Sequence, residues 1–163
     1  MRHSFRSYIF ANAIAISFLA AAAHAQTESR EALLSDAWHS FNDKNYPEAI
    51  RSSSECVNRF RRQAERDQAA AVAHNEPIPD KGKISKTSTA AQTIFDRGVL
   101  NDVSACYFVL GSSQAATGSC AGAKRTYQDL KRLTYARIWD PKGWFWDPSL
   151  TADDWLVDNG NKC

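Results

Sequence analysis

The sequence lacks the short motifs that identify common enzyme classes. It contains no G-x-S-x-G nucleophile motif, no H-E-x-x-H metal motif, no P-loop and no G-x-G-x-x-G dinucleotide fingerprint. Histidine is scarce too, because beyond residue 25 only His39 and His74 remain. Neither lies at triad or metal-ligand spacing from a partner. We therefore expect a protein without catalysis, metal or cofactor, in which both histidines have surface or packing roles.

Net charge of one sign is also missing once the start of the chain is set apart. A head carrying Arg2 and Arg6 precedes a mostly apolar stretch and the small-x-small tripeptide Ala23-His24-Ala25, the three regions of a secretory signal peptide. We predict cleavage after Ala25; the alternative is a membrane anchor, for which the stretch is short. The two lost arginines take the formal charge from +2 to 0. Bulk charge then gives no case for a nucleic-acid or membrane partner, and we expect a secreted protein in a Gram-negative periplasm.

Closely spaced cysteine pairs of the zinc-binding type are absent. The 4 cysteines are widely spaced and all follow the predicted leader: Cys56, Cys106, Cys120 and Cys163. In an oxidising compartment two disulfides are the default, and three pairings are possible. The alternative is that one pair stays free and buried.

Runs of alternating β-branched residues are scarce, whereas helical periodicity recurs along the chain. Apolar spacing predicts helices over 33–41, from Pro47 with a polar extension over 59–74, from a capping box at Thr89, and over 121–138. A further helix is expected to start at Asn101 or Asp102 and to end near residue 118, and a last one to start at Thr151. Prolines and Gly82 predict a loop near 75–87. The pattern predicts an all-α domain over 26–138.

Aromatic residues concentrate at the C-terminus. Four of the 5 tryptophans fall in the last 25 residues, Trp139, Trp144, Trp146 and Trp155. Prolines bracket this segment, so we expect residues 139–163 to be an irregular aromatic cap on the same domain. Clustered tryptophans could equally form a ligand platform, and Trp144 and Trp146 are the candidates.

An internal repeat is visible at an offset of 74 residues. Ala37 and Ala49 lie 12 residues apart, as do Gly111 and Ala123. The second pair belongs to the pattern Tyr107-x-x-Leu110-Gly111 followed by Ala123 and Tyr127, which resembles the tetratricopeptide repeat (TPR) family over about half the predicted mature chain. The first pair departs from that pattern, with Asp36 in place of the usual Leu and Ser53 in place of an aromatic residue. A generic bundle of helix hairpins is the alternative.

The resemblance implies a short TPR-like stack of antiparallel helix pairs, with a degenerate middle pair over 59–97. It implies a concave surface, carrying Tyr107, Gln114 and Arg125, that binds a protein partner. It also implies the disulfide pairs Cys56–Cys106 and Cys120–Cys163. The terminal WDP-x-GWFW segment resembles the ends of some secreted bacterial TPR-like proteins.

Two other functions remain open at this stage. One is a carbohydrate- or peptidoglycan-binding module that uses Trp144 and Trp146. The other is a cell-envelope hydrolase that uses paired carboxylates, for which the late aspartates are the candidates: Asp140, Asp147, Asp153, Asp154 and Asp158. Adjacent Asp153 and Asp154 look more like charges that stabilise a helix N-terminus.

Overall fold

Six helices and one β-hairpin make up residues 28–159, the part of the chain that the structure, a computed structural model, describes. In chain order the elements are α1 (Arg30–Asn42), α2 (Tyr46–Ala73), α3 (Thr89–Phe95), α4 (Gly98–Ala116), α5 (Cys120–Leu130), β1 (Ile138–Asp140), β2 (Trp144–Trp146) and α6 (Pro148–Asn159). The predicted all-α fold is confirmed. None of the described helices is long and apolar enough to cross a membrane. The predicted signal peptide lies outside the described residues.

The turns that join α1 to α2 and α4 to α5 are alike at an offset of 74 residues. Each contains a residue with positive φ, 59° at Lys44 and 76° at Gly118. The N–H of Asn45 donates to the carbonyl of Ser40 at 2.8 Å, and the residues 74 positions later make the same bond at 2.8 Å. This Schellman arrangement satisfies carbonyls that the end of a helix leaves unpaired. The two helix hairpins therefore repeat in structure as well as in sequence.

The core lies where α4 packs against α1, α2 and α5. The small residues of the repeat are found at these contacts, and Ala37, Ala49 and Ala123 are fully buried. Small side chains let helix axes approach closely. Leu33, Leu100 and Leu130 fill the main hydrophobic cluster around them.

A disulfide between Cys56 and Cys106 joins α2 to α4 inside this core. The two Cα atoms are 6.3 Å apart, and both residues are fully buried. This bond confirms the first predicted pair. The second predicted pair includes Cys163, which lies outside the described residues.

Helix α2 continues without a break to Ala73. Residues 59–97 therefore hold the end of α2, a loop and the seven-residue α3, so the expected middle helix pair over this range is wrong. The loop near 75–87 is confirmed. In α3 the side chain of Ser88 accepts a hydrogen bond from the N–H of Ala91, so Ser88, not Thr89, caps this helix.

Three other helix boundaries differ from the expectation because side chains are used in tertiary contacts. Helix α4 begins at Gly98, since Asn101 and Asp102 bind other segments rather than capping it. Helix α5 ends at Leu130 because the chain then turns to bind Gln68, whose Oε1 accepts from the N–H of Tyr135 at 3.1 Å. Helix α6 begins at Pro148, not Thr151, with Asp147 as the cap described below.

The aromatic segment that was expected to be irregular contains an antiparallel hairpin. Ile138 pairs with Trp146, and Trp139 with Phe145. Gly143, with φ at 101°, lies in the turn. A third segment joins from the long loop: the N–H of Gly82 donates to the carbonyl of Phe145 at 2.7 Å, and the reverse bond is 2.9 Å. Phe145 is buried against α3, so the hairpin closes one side of the helical domain.

Candidate binding groove

Two neighbouring cavities lie between α1 and the β-hairpin and share the lining residues Trp38, Ile138 and Trp139. The inner cavity, of about 240 Å³, also reaches α3 and the start of α4. The outer cavity, of about 390 Å³, is lined in addition by Asn42, Asp140, Pro141 and Trp146. We call the two together the aromatic groove. Its volume is in the range of small-ligand and side-chain sites.

Two clusters of stacked rings build the groove. In the first, Phe108 of α4 lies between Trp38 and Trp146, with ring centroids at 5.8 Å and 4.9 Å. This cluster ties α1 and β2 to α4. Edge-to-face and tilted contacts of this kind are the favoured geometries for aromatic pairs.

The second cluster centres on Phe145. Its ring lies 4.9 Å from that of Trp139 and 5.4 Å from that of Phe95. Phe95 is 41% exposed, so the groove keeps an apolar surface in contact with solvent at its α3 end. Lys86 places its ammonium 4.4 Å from the centroid of the Trp139 ring, a cation–π contact.

Arg137 holds the hairpin in place from beneath the inner cavity. It is only 4% exposed; its Nε donates to the carbonyl of Pro79 at 2.9 Å, and its Nη1 donates to that of Ala136 at 2.6 Å. The same Nη1 is 3.2 Å from Oδ2 of Asp147. Burial lowers the pKa of Arg137, although a guanidinium stays charged in proteins. The residue links the long loop, the chain before β1 and the start of α6.

The other polar groups of the inner cavity are also hydrogen-bonded within the protein. Asn101 donates from Nδ2 to the carbonyl of Ile94 at 2.6 Å and accepts at Oδ1 from the N–H of Arg137 at 2.9 Å. Asp102 accepts from Nε of Arg30 at 2.7 Å. Burial raises the pKa of Asp102 above its ordinary value, against the opposing effect of Arg30. The surface left for a ligand is therefore mainly aromatic and aliphatic.

The outer cavity has a more polar opening. Asp140 lies there, and its Oδ1 accepts from the N–H of Lys142 at 2.8 Å, which fixes the carboxylate. Asn42, the last residue of α1, is exposed on the opposite side. The C-terminal end of α1 therefore faces the outer cavity.

The structure does not bring the five predicted binding residues together. Trp146 lines the outer cavity, and Trp144, 43% exposed, is two positions earlier on β2. Tyr107 is 4% exposed and packed in the main core, so its ring offers almost no surface to a partner. Gln114 accepts at Oε1 from Oγ1 of Thr126 at 2.8 Å, and Arg125 is exposed on α5.

Trp38 and Trp139 are central to the groove but were not predicted as site residues. Trp139 had a signal in the sequence, its place in the aromatic segment. Trp38 had none, because only tertiary packing brings α1 beside the hairpin.

Three of the late aspartates have structural partners. Asp147 caps α6 by accepting at Oδ1 from the N–H groups of Ser149 and Leu150 at 3.0 Å and 3.1 Å. Asp153 forms an ion pair with Lys131 at 2.7 Å, and Asp140 binds the hairpin turn.

The two histidines lie at helix ends. His39 is in the last turn of α1, 3.3 Å from a carboxylate oxygen of Asp43. His74 is the C-cap of α2. Among residues 28–159 no group of three or more histidine, cysteine, aspartate or glutamate residues is arranged to hold a metal ion.

No protein-family model matches this chain, and comparison with curated proteins and with solved structures finds no similar protein either.

Proposed function

We propose that the protein is a non-catalytic binding module, a TPR-like helical scaffold whose aromatic groove receives apolar side chains of a protein partner. The observation that supports this most is the contrast inside the groove between exposed ring surface and polar groups that already have partners. A partner gains by covering rings, and it need not replace hydrogen bonds of the inner cavity.

The groove has the residue types that dominate protein interfaces. Tryptophan is enriched among the few interface residues that supply most binding energy. Three tryptophans here, Trp38, Trp139 and Trp146, come from two elements that α4 holds in place through Phe108. Because these rings are packed before a partner arrives, little conformational entropy is lost on binding.

The disulfide between Cys56 and Cys106 supports secretion. Such bonds persist in oxidising compartments and are rare in the reducing cytosol. Together with the predicted leader that would end at Ala25, it favours the periplasm as the place where the module works.

Site-specific photo-crosslinking tests this proposal. A photoreactive phenylalanine derivative at Asn42, which is exposed and lines the groove, should capture a discrete envelope protein. The same group at Gln128, exposed on α5 away from the lining residues, is the matched control. Replacement of Trp139 by alanine should abolish the Asn42 adduct. If both positions give the same adducts, or none, the proposed groove is not a protein-binding surface.

A second candidate function is binding of a cell-wall glycan. The observation that favours it is the 43% exposure of Trp144, a ring on the same face of β2 as Trp146. Soluble peptidoglycan fragments should then bind in a calorimetric titration, and Trp144→Ala should remove the heat signal. An unchanged signal in the variant would exclude this ring as the platform. The hydrolase hypothesis is weaker, because Asp147 and Asp153 have structural partners.

A further inference from the structure

We propose that the outer cavity of the aromatic groove is a binding site for a small organic cation of the quaternary-ammonium type. The cation would lie against the rings of Trp38 and Trp146, beside the carboxylate of Asp140. This site is separate in kind from the protein-binding surface proposed above, since its ligand is a free small molecule.

The first argument is the composition of the lining. Three of the seven lining residues are tryptophan, the side chain with the strongest attraction for cations, and one is an aspartate. Quaternary ammonium ions cannot donate hydrogen bonds, so ring faces and a nearby carboxylate recognise them without further polar partners. The cavity of about 390 Å³ is large enough for a trimethylammonium group and a short polar tail.

The second argument is that a cation already lies on one of these rings. The ammonium of Lys86 is 4.4 Å from the centroid of Trp139. This internal contact shows that the local field at the indole accepts positive charge. It also leaves Trp38 and Trp146 as the rings available to an added cation.

The third argument is the direction of α1. Its C-terminal residue, Asn42, lines the cavity. The carbonyl end of a helix carries partial negative charge and attracts cations. Asp140 adds a full negative charge, while the side chain of Lys142, next to the hairpin turn, is exposed and screened by solvent. The cavity thus presents negative potential to a ligand that enters it.

Calorimetric titration with choline tests the proposal, with 3,3-dimethyl-1-butanol as a matched control. The two molecules have nearly the same shape, but only choline is charged. We expect saturable binding of choline and at least about tenfold weaker binding of the alcohol, the effect of one or two cation–π contacts. Equal binding of both compounds, or binding of neither, would overturn the proposal. So would a peptide with trimethyllysine that binds when choline does not, because the ligand would then belong to a protein.

Variants locate the site. Asp140→Asn keeps the shape of the side chain and should weaken choline binding about fivefold or more. Trp38→Leu should weaken it further, with the thermal midpoint measured to show that the variant is folded. Trp144→Ala removes an exposed ring of the same strand that is not part of the cavity lining, and it should bind choline as the wild type does. Loss of binding in Trp144→Ala but not in Asp140→Asn would place the cation elsewhere. A failed choline titration with an intact Asn42 crosslink would leave the proposed protein-binding function standing.

Discussion

The ring of Tyr127 in α5 lies directly on the backbone of Gly111 in α4. A β-carbon on Gly111 would be 2.9 Å from Cζ of this ring, closer than real side chains approach. The Tyr127 hydroxyl is 2.8 Å from Oγ of Ser112, and its ring centroid is 4.6 Å from that of Trp155 in α6. One glycine therefore sets the spacing of α4 and α5 and the place where α6 docks.

Gly111→Ala should destabilise the protein. Alanine normally stabilises a helix interior relative to glycine by up to about 1 kcal/mol, but overpacking against Tyr127 costs about 1–3 kcal/mol. We expect the free energy of unfolding, measured with urea, to fall by about 1–2 kcal/mol. Gly98→Ala is the control, because its β-carbon would meet the nearest atom, on Arg30, at an ordinary 3.7 Å. A gain in stability for Gly111→Ala would contradict the close contact.

The repeated turns can be compared by exchange of equivalent residues. Lys44 has a left-handed backbone that suits glycine, whereas Gly118 already is glycine. Lys44→Gly should raise the free energy of unfolding by about 0.5–1 kcal/mol, and Gly118→Ala should lower it by about 1 kcal/mol. Chemical denaturation of both variants checks the signs. Effects of the same sign would mean that the two turns are not equivalent in solution.

Removal of the buried disulfide should cost much of the stability. The bond closes a span of 50 residues, for which the chain-entropy model gives about 4 kcal/mol. The double variant Cys56→Ala/Cys106→Ala tests this without reducing any other cysteine. Its unfolding midpoint should fall well below that of the wild type, and a shift equivalent to less than about 1 kcal/mol would show that the core compensates.

Arg137 should matter more than its place before a short strand suggests. Arg137→Met removes the buried partner of Asp147 and the donor to the carbonyl of Pro79. Breaking a buried ion pair by removing one partner costs about 3–5 kcal/mol, and tryptophan emission should shift to longer wavelength as the hairpin loosens. Arg132→Met is the control, because the Arg132 side chain is 67% exposed and should change stability by less than about 0.5 kcal/mol. Similar losses in the two variants would refute the anchoring role.

The pH dependence of stability should carry the signature of Asp102. Burial raises the pKa of Asp102 in the folded state, so the folded protein binds more protons than the unfolded chain just above the ordinary aspartate pKa. Stability contributed by this group therefore falls as the pH rises through that window and stays low above the folded pKa. Asp102→Asn removes this dependence. The difference in unfolding free energy, variant minus wild type, should increase from about pH 3 to pH 7, and a constant difference would contradict the raised pKa.

Local patterns carried most of the helical architecture. The apolar spacing in α1, the proline near the start of α2 and the repeat of small residues at 74 positions all act within a few turns of chain, so sequence shows them directly. Boundaries failed where distant side chains intervened. The end of α5 depends on Gln68, and the start of α4 depends on partners of Asn101 and Asp102, none of which is a neighbour in sequence.

The groove was only partly predictable for the same reason. The aromatic segment announced Trp146, and its turn residues are consistent with the hairpin now seen. Periodicity, however, gives no sign that Trp38 faces this segment, because both pack on Phe108 from opposite directions. Tyr107 shows the reverse error, since its spacing in the repeat was taken for a surface position and the ring is buried.

The disulfide between Cys56 and Cys106 has a topological consequence for the long exposed loop between α2 and α3. Both cysteines flank this loop, so a protease that cuts at Lys83 would produce two pieces that remain one covalent molecule. Each piece would keep one complete helix hairpin, and the backbone bonds between Gly82 and Phe145 would still join the N-terminal piece to the β-hairpin. For this fold, continuity of the peptide chain through the loop is redundant.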